Sequence, residues 1–188
     1  MGRKSVGLGF LGCGIVGSGA ARQIVGRAEA VARAVGVPLE IRRVAVRNLA
    51  KKRDVDLDHS IFSHEPAEVV ADPSVDVVVE MMGGIEPARS CIQQAIELGK
   101  PVVTANKELL STLGHEIFQA ADAKSVDLFF EAAVAGGIPL LRPLKESLAG
   151  EGVRRVIGIV NGTTNYILTR MTEAGLSFAD ALAEAERL

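Results

Sequence analysis

The sequence predicts an α/β fold, a doubly wound parallel sheet followed by the beginning of an α+β domain. Three observations predict it. Short β-branched runs alternate with longer segments of helical period, the run Val75-Asp76-Val77-Val78-Val79 is almost continuously apolar, and a glycine-rich turn directly follows the first apolar run. Alternating strand and helix patterns call for parallel strands joined by crossover helices. A nearly unbroken apolar strand is one covered on both faces, as the inner strands of such sheets are.

Val6 to Leu11 is short, apolar and closed by Gly12, which makes it the first strand. Ile15 to Val35 carries a helical period and is expected as one helix. A second strand spans Ile41 to Val46, and a short helix over Pro66 to Ala71 precedes the strand Val75 to Val79. Pro87 to Leu98 carries the stripe Ile92, Ala95, Ile96 of a helix with one buried face. Pro101 to Thr104 is the next strand, Thr112 to Lys124 the next helix, and Leu128 to Phe130 the last strand.

After Glu131 the run Ala132-Ala133-Val134-Ala135-Gly136-Gly137-Ile138-Pro139 brings small residues, paired glycines and a proline, and a domain boundary is placed there. Residues 1–137 are expected as the first domain and 138–188 as the beginning of a second. Within the latter, a helix is expected over Leu140 to Leu148, a strand over Val153 to Val160, a helix over Thr164 to Ala174 and another from Ser177. Glu184-Ala185-Glu186-Arg187-Leu188 has neither a capping glycine nor a polar tail, so the chain is expected to stop inside an unfinished domain.

A length of 188 residues with 48% apolar content suffices for a buried core. The net charge of −2 offers no electropositive surface for nucleic acid or anionic lipid, which leaves small molecules as the expected partners. Cys13 and Cys91 lie far apart without metal-ligand spacing, which fits a reducing cytoplasm. The apolar run after Met1-Gly2-Arg3-Lys4 is too short to span a membrane and has no signal-peptide pattern. His59, His64 and His115 are scattered and read as surface or capped residues.

Gly12-Cys13-Gly14-Ile15-Val16-Gly17 lies between a strand and a helix, the context in which GxGxxG binds a dinucleotide in a Rossmann-type fold. Gly12 is expected to take the tight turn, Gly14 to let the pyrophosphate approach, and Gly17 to let helix and strand pack closely. Free N–H groups at the helix start, around Ile15 and Val16, then hold the phosphates. The second strand ends in Val46-Arg47-Asn48 with Lys51, Lys52 and Arg53 close behind and no acid, which favours the 2′-phosphate of NADP over the free ribose of NAD. The alternative is a solvated basic helix end.

Asn106 and Lys107 follow a strand end, where ligands of open α/β sheets bind. An ammonium there either stabilises an oxygen that gains charge as hydride arrives at its carbon, or is a surface lysine that starts a helix. Asn161-Gly162-Thr163-Thr164-Asn165 gives a glycine turn and exposed N–H groups that either meet a polar ligand or cap an ordinary helix. Glu80, at a strand end, either touches ligand or satisfies the neighbouring turn.

In this order, the glycine turn, Val46-Arg47-Asn48-Leu49, Glu80-Met81-Met82-Gly83-Gly84, Lys100 to Lys107, Glu131 to Pro139 and Asn161 to Leu168 resemble the N-terminal portion of the homoserine dehydrogenases. The resemblance covers essentially the whole chain. It implies an NAD(P)H-dependent oxidoreductase that reduces aspartate 4-semialdehyde to homoserine in threonine, methionine and isoleucine biosynthesis, a homodimer at full length. Lys107 is then catalytic and beside the nicotinamide, Arg47 meets the adenosine ribose or its 2′-phosphate, and Met82 and Gly83 border the nicotinamide half. Gly162 and Thr163 correspond to substrate contacts, and Glu131, Val134, Gly136 and Ile138 to a sodium or potassium site. Asp54 to Glu65 matches no family motif.

Members of the family continue into more of the substrate domain, with acidic residues for the substrate amine and a second catalytic lysine, and many end in a regulatory domain. Weak or no turnover is therefore expected of these 188 residues alone. Two rival readings remain. A phosphorylating semialdehyde dehydrogenase needs an activated cysteine, whereas Cys91 falls on a helix expected to bury it. The other rival is an NAD(P)-binding or redox-sensing module without catalysis.

Overall fold

The computed structural model describes residues 4–188. Six strands, β1 (Val6–Leu11), β2 (Leu39–Ala45), β3 (Phe62–Ser63), β4 (Val77–Glu80), β5 (Val102–Thr104) and β6 (Leu128–Phe129), form one sheet. Every pairing is parallel, and the order is β3-β2-β1-β4-β5-β6. The connecting helices are α1 (Ile15–Gly26), α2 (Ala28–Val35), α3 (Pro66–Ala71), α4 (Ala88–Glu97) and α5 (Lys107–Lys124).

The period of two along each strand sorts the core into two layers. Leu8 and Phe10 of β1 pack with Val44 and with Ala21 of α1, whereas Leu11 packs with Val78 and with Ile92, Ile96, Leu109 and Ile117 of α4 and α5. Phe10 is fully buried, a burial that stabilises by roughly 2–3 kcal/mol. Close packing also shapes β1: a Cβ added at Gly9 would lie 2.7 Å from the Val75 side chain.

The helix expected from Ile15 to Val35 is two helices. Arg27 leaves the helical region (φ −126°, ψ 28°) just after Gly26, and its N–H returns to the Gln23 carbonyl. Glycine is a poor helix former, and the break falls beside it. The helix expected from Thr112 starts earlier, at Lys107, because the Asn106 side chain caps it by accepting from the Leu109 N–H.

The chain divides into two units, the first ending at Ala133 and the second running from Val134 to Leu188. The second holds a π-helical turn at Pro143–Ser147 and the helices α6 (Gly162–Ala174) and α7 (Phe178–Ala185). Asn161 caps α6 and Ser177 caps α7; Ile167 and Ala181 are buried, and Arg170 pairs with Glu184 at 2.8 Å. The strand expected over Val153 to Val160 is not formed: the segment has no regular structure, and Ile157 is 83% exposed. A strand needs a neighbour for its N–H and C=O groups, and the described residues of this unit contain no other strand. No helix among the described residues is long and apolar enough to cross a membrane.

Candidate functional site

The connections reverse direction between β1 and β4, which opens a crevice outside the carboxyl ends of the strands. The glycine turn forms its wall. Gly12 takes φ +99°, open to glycine, and a Cβ on Gly17 would sit 2.4 Å from the Gly12 carbonyl oxygen. Gly14 instead faces open space, with nothing within 4 Å of an added Cβ. No side chain caps α1, so the N–H groups of its first turn are left to solvent or a ligand. Ile15 is 95% exposed and Val16 is exposed with it, while Cys13 and Ser18 are buried and bonded to each other.

A cavity of about 470 Å³ occupies this crevice, within the ~300–1,000 Å³ usual for small-molecule sites. Gly12, Gly14, Arg47, Met82 and Gly83 line it, so residues from three separate stretches of sequence meet there. Lys51 and Arg53 line the far edge. Arg53 is committed to its own loop, donating to the carbonyls of Asn48 (2.7 Å) and Lys51 (2.8 Å) and lying over the Phe62 ring. The side chains of Arg47 and Lys51 have no partner among the described residues, which suits them to an anionic ligand.

His64 also lines the cavity, from the segment that carried no expectation and as a residue read as surface. A larger cavity of about 820 Å³ runs beside α1 and residues 49–57. It lacks the glycine turn, and its Arg22 is tied to Asp54, which leaves the smaller crevice as the candidate ligand site.

At the ends of β4 and β5 the site is held by polar bonds. Glu80 is fully buried and accepts from the Met82 N–H at 2.8 Å and the Thr104 hydroxyl at 2.6 Å. Asn106 is buried, with its amide donating to the Gly84 carbonyl at 2.7 Å. Lys107 is exposed at the first position of α5 and has no partner among the described residues. A cation is mildly unfavourable at a helix N-terminus.

In the second unit, Gly162 and Thr163 begin α6, where the Asn161 side chain accepts from the Thr164 N–H at 2.7 Å and leaves the first turn exposed. Ala135 and Gly136 take left-handed conformations, and Ile138 N–H donates to the Ala135 carbonyl. Val134 is half-buried and Ile138 exposed; Glu131, in the first unit, opens a 3-10 turn. No cluster of His, Cys, Asp or Glu able to hold a metal occurs among the described residues, although a carbonyl-lined site needs none.

Burial, with the charges of Glu80 and Glu86, raises the Cys91 thiol to about 11. It is a core residue of α4 and no nucleophile at neutral pH.

A sheet of this order with a glycine-walled crevice at its switch point is that of the nicotinamide-dinucleotide-binding domains of oxidoreductases. Residues 12–131 match the family model described as the NAD binding domain of homoserine dehydrogenase, and residues 139–188 match that described as homoserine dehydrogenase. The chain belongs to the homoserine dehydrogenase family. It is 51% identical over 185 residues to the homoserine dehydrogenase of Mycobacterium tuberculosis, covering 98% of this chain and 42% of that protein. To that of Bacillus subtilis it is 42% identical, covering 98% and 43%. A crystal structure of a homoserine dehydrogenase from Thiobacillus denitrificans matches with a TM-score of 0.88 at 44% identity, over 98% of this chain and 42% of that one. The one from Thermoplasma acidophilum matches with a TM-score of 0.75 at 28% identity, over 98% and 60%. The chain thus spans 42–43% of the length of these curated relatives.

Proposed function

We propose that this chain binds NADP(H) and serves the reduction of aspartate 4-semialdehyde to homoserine, with residues 1–137 as the cofactor domain and 138–188 as part of a substrate and dimerisation domain. One observation carries the reading: an uncommitted ammonium, Lys107, follows a strand end whose capping residue, Asn106, is bonded to the loop that lines the glycine-walled cavity. Arg47 and Lys51 at the same cavity support NADP over NAD, because a phosphate meets paired cations better than a ribose hydroxyl does.

A reduced nicotinamide, when bound, would supply hydride to the aldehyde carbon. The first-turn N–H groups of α1, from Ile15 to Gly17, hold the pyrophosphate, and Met82 and Gly83 border the pyridine end. The Lys107 ammonium donates a hydrogen bond to the aldehyde oxygen and stabilises the charge that gathers there. Gly162 and Thr163 contact the substrate through the exposed first turn of α6. A monovalent cation held by Glu131 and the carbonyls of Val134, Gly136 and Ile138 belongs to the same reading, as do a homodimer at full length, a cytoplasmic location and a place in threonine and methionine biosynthesis. Both cysteines are free, in keeping with a reducing compartment.

The test is a titration with NADPH and NADH followed by an assay with aspartate 4-semialdehyde. NADPH is expected to bind, and Lys107→Met to leave its Kd within about threefold while lowering any turnover by roughly a hundredfold or more. Absence of binding at millimolar coenzyme sinks the reading. Binding without turnover identifies a cofactor module.

A further inference from the structure

We propose that Glu80 is a positioning residue that locks the 82–84 loop to the start of α5 and so shapes the pocket for the nicotinamide end of the cofactor, an inference that rests on the reading above. Glu80 ends β4 and lies two residues beyond Val78, so its side chain enters the same layer of core, with α4 and α5. An acid is costly there unless its oxygens are satisfied. It is 0% exposed and has no cationic partner among the described residues.

Hydrogen bonds alone hold it. One oxygen, Oε1, accepts from the N–H groups of Met82 (2.8 Å) and Gly83 (3.4 Å) and from the Asn106 amide (3.5 Å). The other, Oε2, accepts from the Thr104 hydroxyl at 2.6 Å, and Thr104 in turn accepts from the Asn106 N–H at 3.0 Å. Asn106 completes the circuit by donating to the Gly84 carbonyl at 2.7 Å and capping α5 through Leu109 at 3.1 Å. One carboxylate therefore joins the loop after β4 to the turn after β5. Met82 and Gly83 line the cavity, and Lys107 follows Asn106 directly. An apolar side chain would fill the same space, as Val78 does, but would leave the Asn106 bond to the Gly84 carbonyl as the side-chain link between the two segments.

The experiment uses the chain with Glu80→Ala and Glu80→Gln, titrated separately with NADPH and with adenosine 2′,5′-bisphosphate, which carries only the adenosine half. Glu80→Ala is expected to weaken NADPH roughly tenfold and the bisphosphate by less than about twofold. Glu80→Gln keeps an acceptor for the Met82 N–H and is expected to restore NADPH to within about threefold. Amide hydrogen exchange without ligand should speed up at Met82, Gly83 and Leu109 in Glu80→Ala and stay unchanged at Phe10. A general loss of stability would weaken both ligands alike, and that outcome overturns the proposal, as does unaltered NADPH affinity. Should Glu80→Ala fail to fold, Glu80→Met, which fills the space without an acceptor for the Met82 N–H, takes its place, and an unchanged loop and ligand ratio there overturn the role. If the unaltered chain binds neither ligand, the cofactor reading falls and the role with it. If it binds both equally well, only the role at the nicotinamide end is overturned.

Discussion

Arg47 lies two residues beyond β2 and lines the cavity that contains Gly12 and Gly14, with Lys51 beside it and neither cation paired among the described residues. A guanidinium that meets a phosphate dianion makes charge-assisted bonds of about 1.5–3 kcal/mol, and a ribose hydroxyl offers it much less. Arg47→Ala should therefore raise the Kd of NADPH roughly tenfold or more and that of NADH by less than about threefold. Parallel fluorescence titrations check this, and equal losses for both coenzymes would mean that Arg47 does not meet the phosphate. Arg47 and the glycines were legible in the sequence because their constraints are local, set by spacing from a strand end. His64 was not. It reaches the cavity because β3 pairs with β2, Ser63 opposite Ala45, and a two-residue strand carries no periodic signal. Glu80 could be read as an acid at a strand end, but its partner Thr104 lies opposite it only through the register of β4 on β5.

A polar junction between elements away from the cavity centres on Asp72, which follows α3. Its carboxylate accepts from the Ser74 N–H (2.9 Å) and hydroxyl (2.6 Å) and lies 3.2 Å from Arg43 of β2. Lys100, just before β5, donates to the carbonyls of Val70 (2.6 Å) and Asp72 (2.7 Å). The bonds from Ser74, helped by Arg43 and Lys100, hold the Asp72 carboxyl below its ordinary value of 3.8. A folded pKa below the unfolded one means stability that is present above about pH 4 and is lost as pH falls through the folded value. Asp72→Asn should cost about 1 kcal/mol at neutral pH, roughly 2–4 °C in Tm, with the gap narrowing in acid. Thermal melts across pH measure this, and a gap that is independent of pH would remove charge from the account. At this scale the apolar runs identified β1, β4 and β5, since a two-sided core demands them. The break at Arg27 and the early start of α5 depended on single residues, Gly26 and Asn106, which a periodicity reading passes over. Val153 to Val160 has the composition of a strand and fails to become one because strand formation is decided by a pairing partner, which its own residues do not specify.

The two units differ in how they satisfy their apolar residues. The first covers both faces of its sheet and buries two clusters. The second packs α6 on α7 through Ile167 and Ala181 but leaves Val156, Ile157, Ile159 and Val160 exposed, and Arg154 and Arg155 precede them in exposed chain without regular structure. Such backbone opens at little cost and is the preferred substrate of a protease. Trypsin should therefore cut at Arg154 or Arg155 before it cuts at Arg43 or Lys100, whose side chains are held in the folded first unit. Every residue of the glycine-walled cavity belongs to that first unit. The nicked protein should accordingly keep its NADPH affinity to within about twofold, and NADPH should slow cutting at Lys51 and Lys52 while leaving the rate at Arg154 unchanged. Mass spectrometry of the digest, paired with titration of the nicked product, reads both effects. Loss of NADPH binding on cleavage at Arg154 alone would show that the cofactor site depends on the second unit, and the first unit could then no longer be regarded as a self-sufficient binding domain.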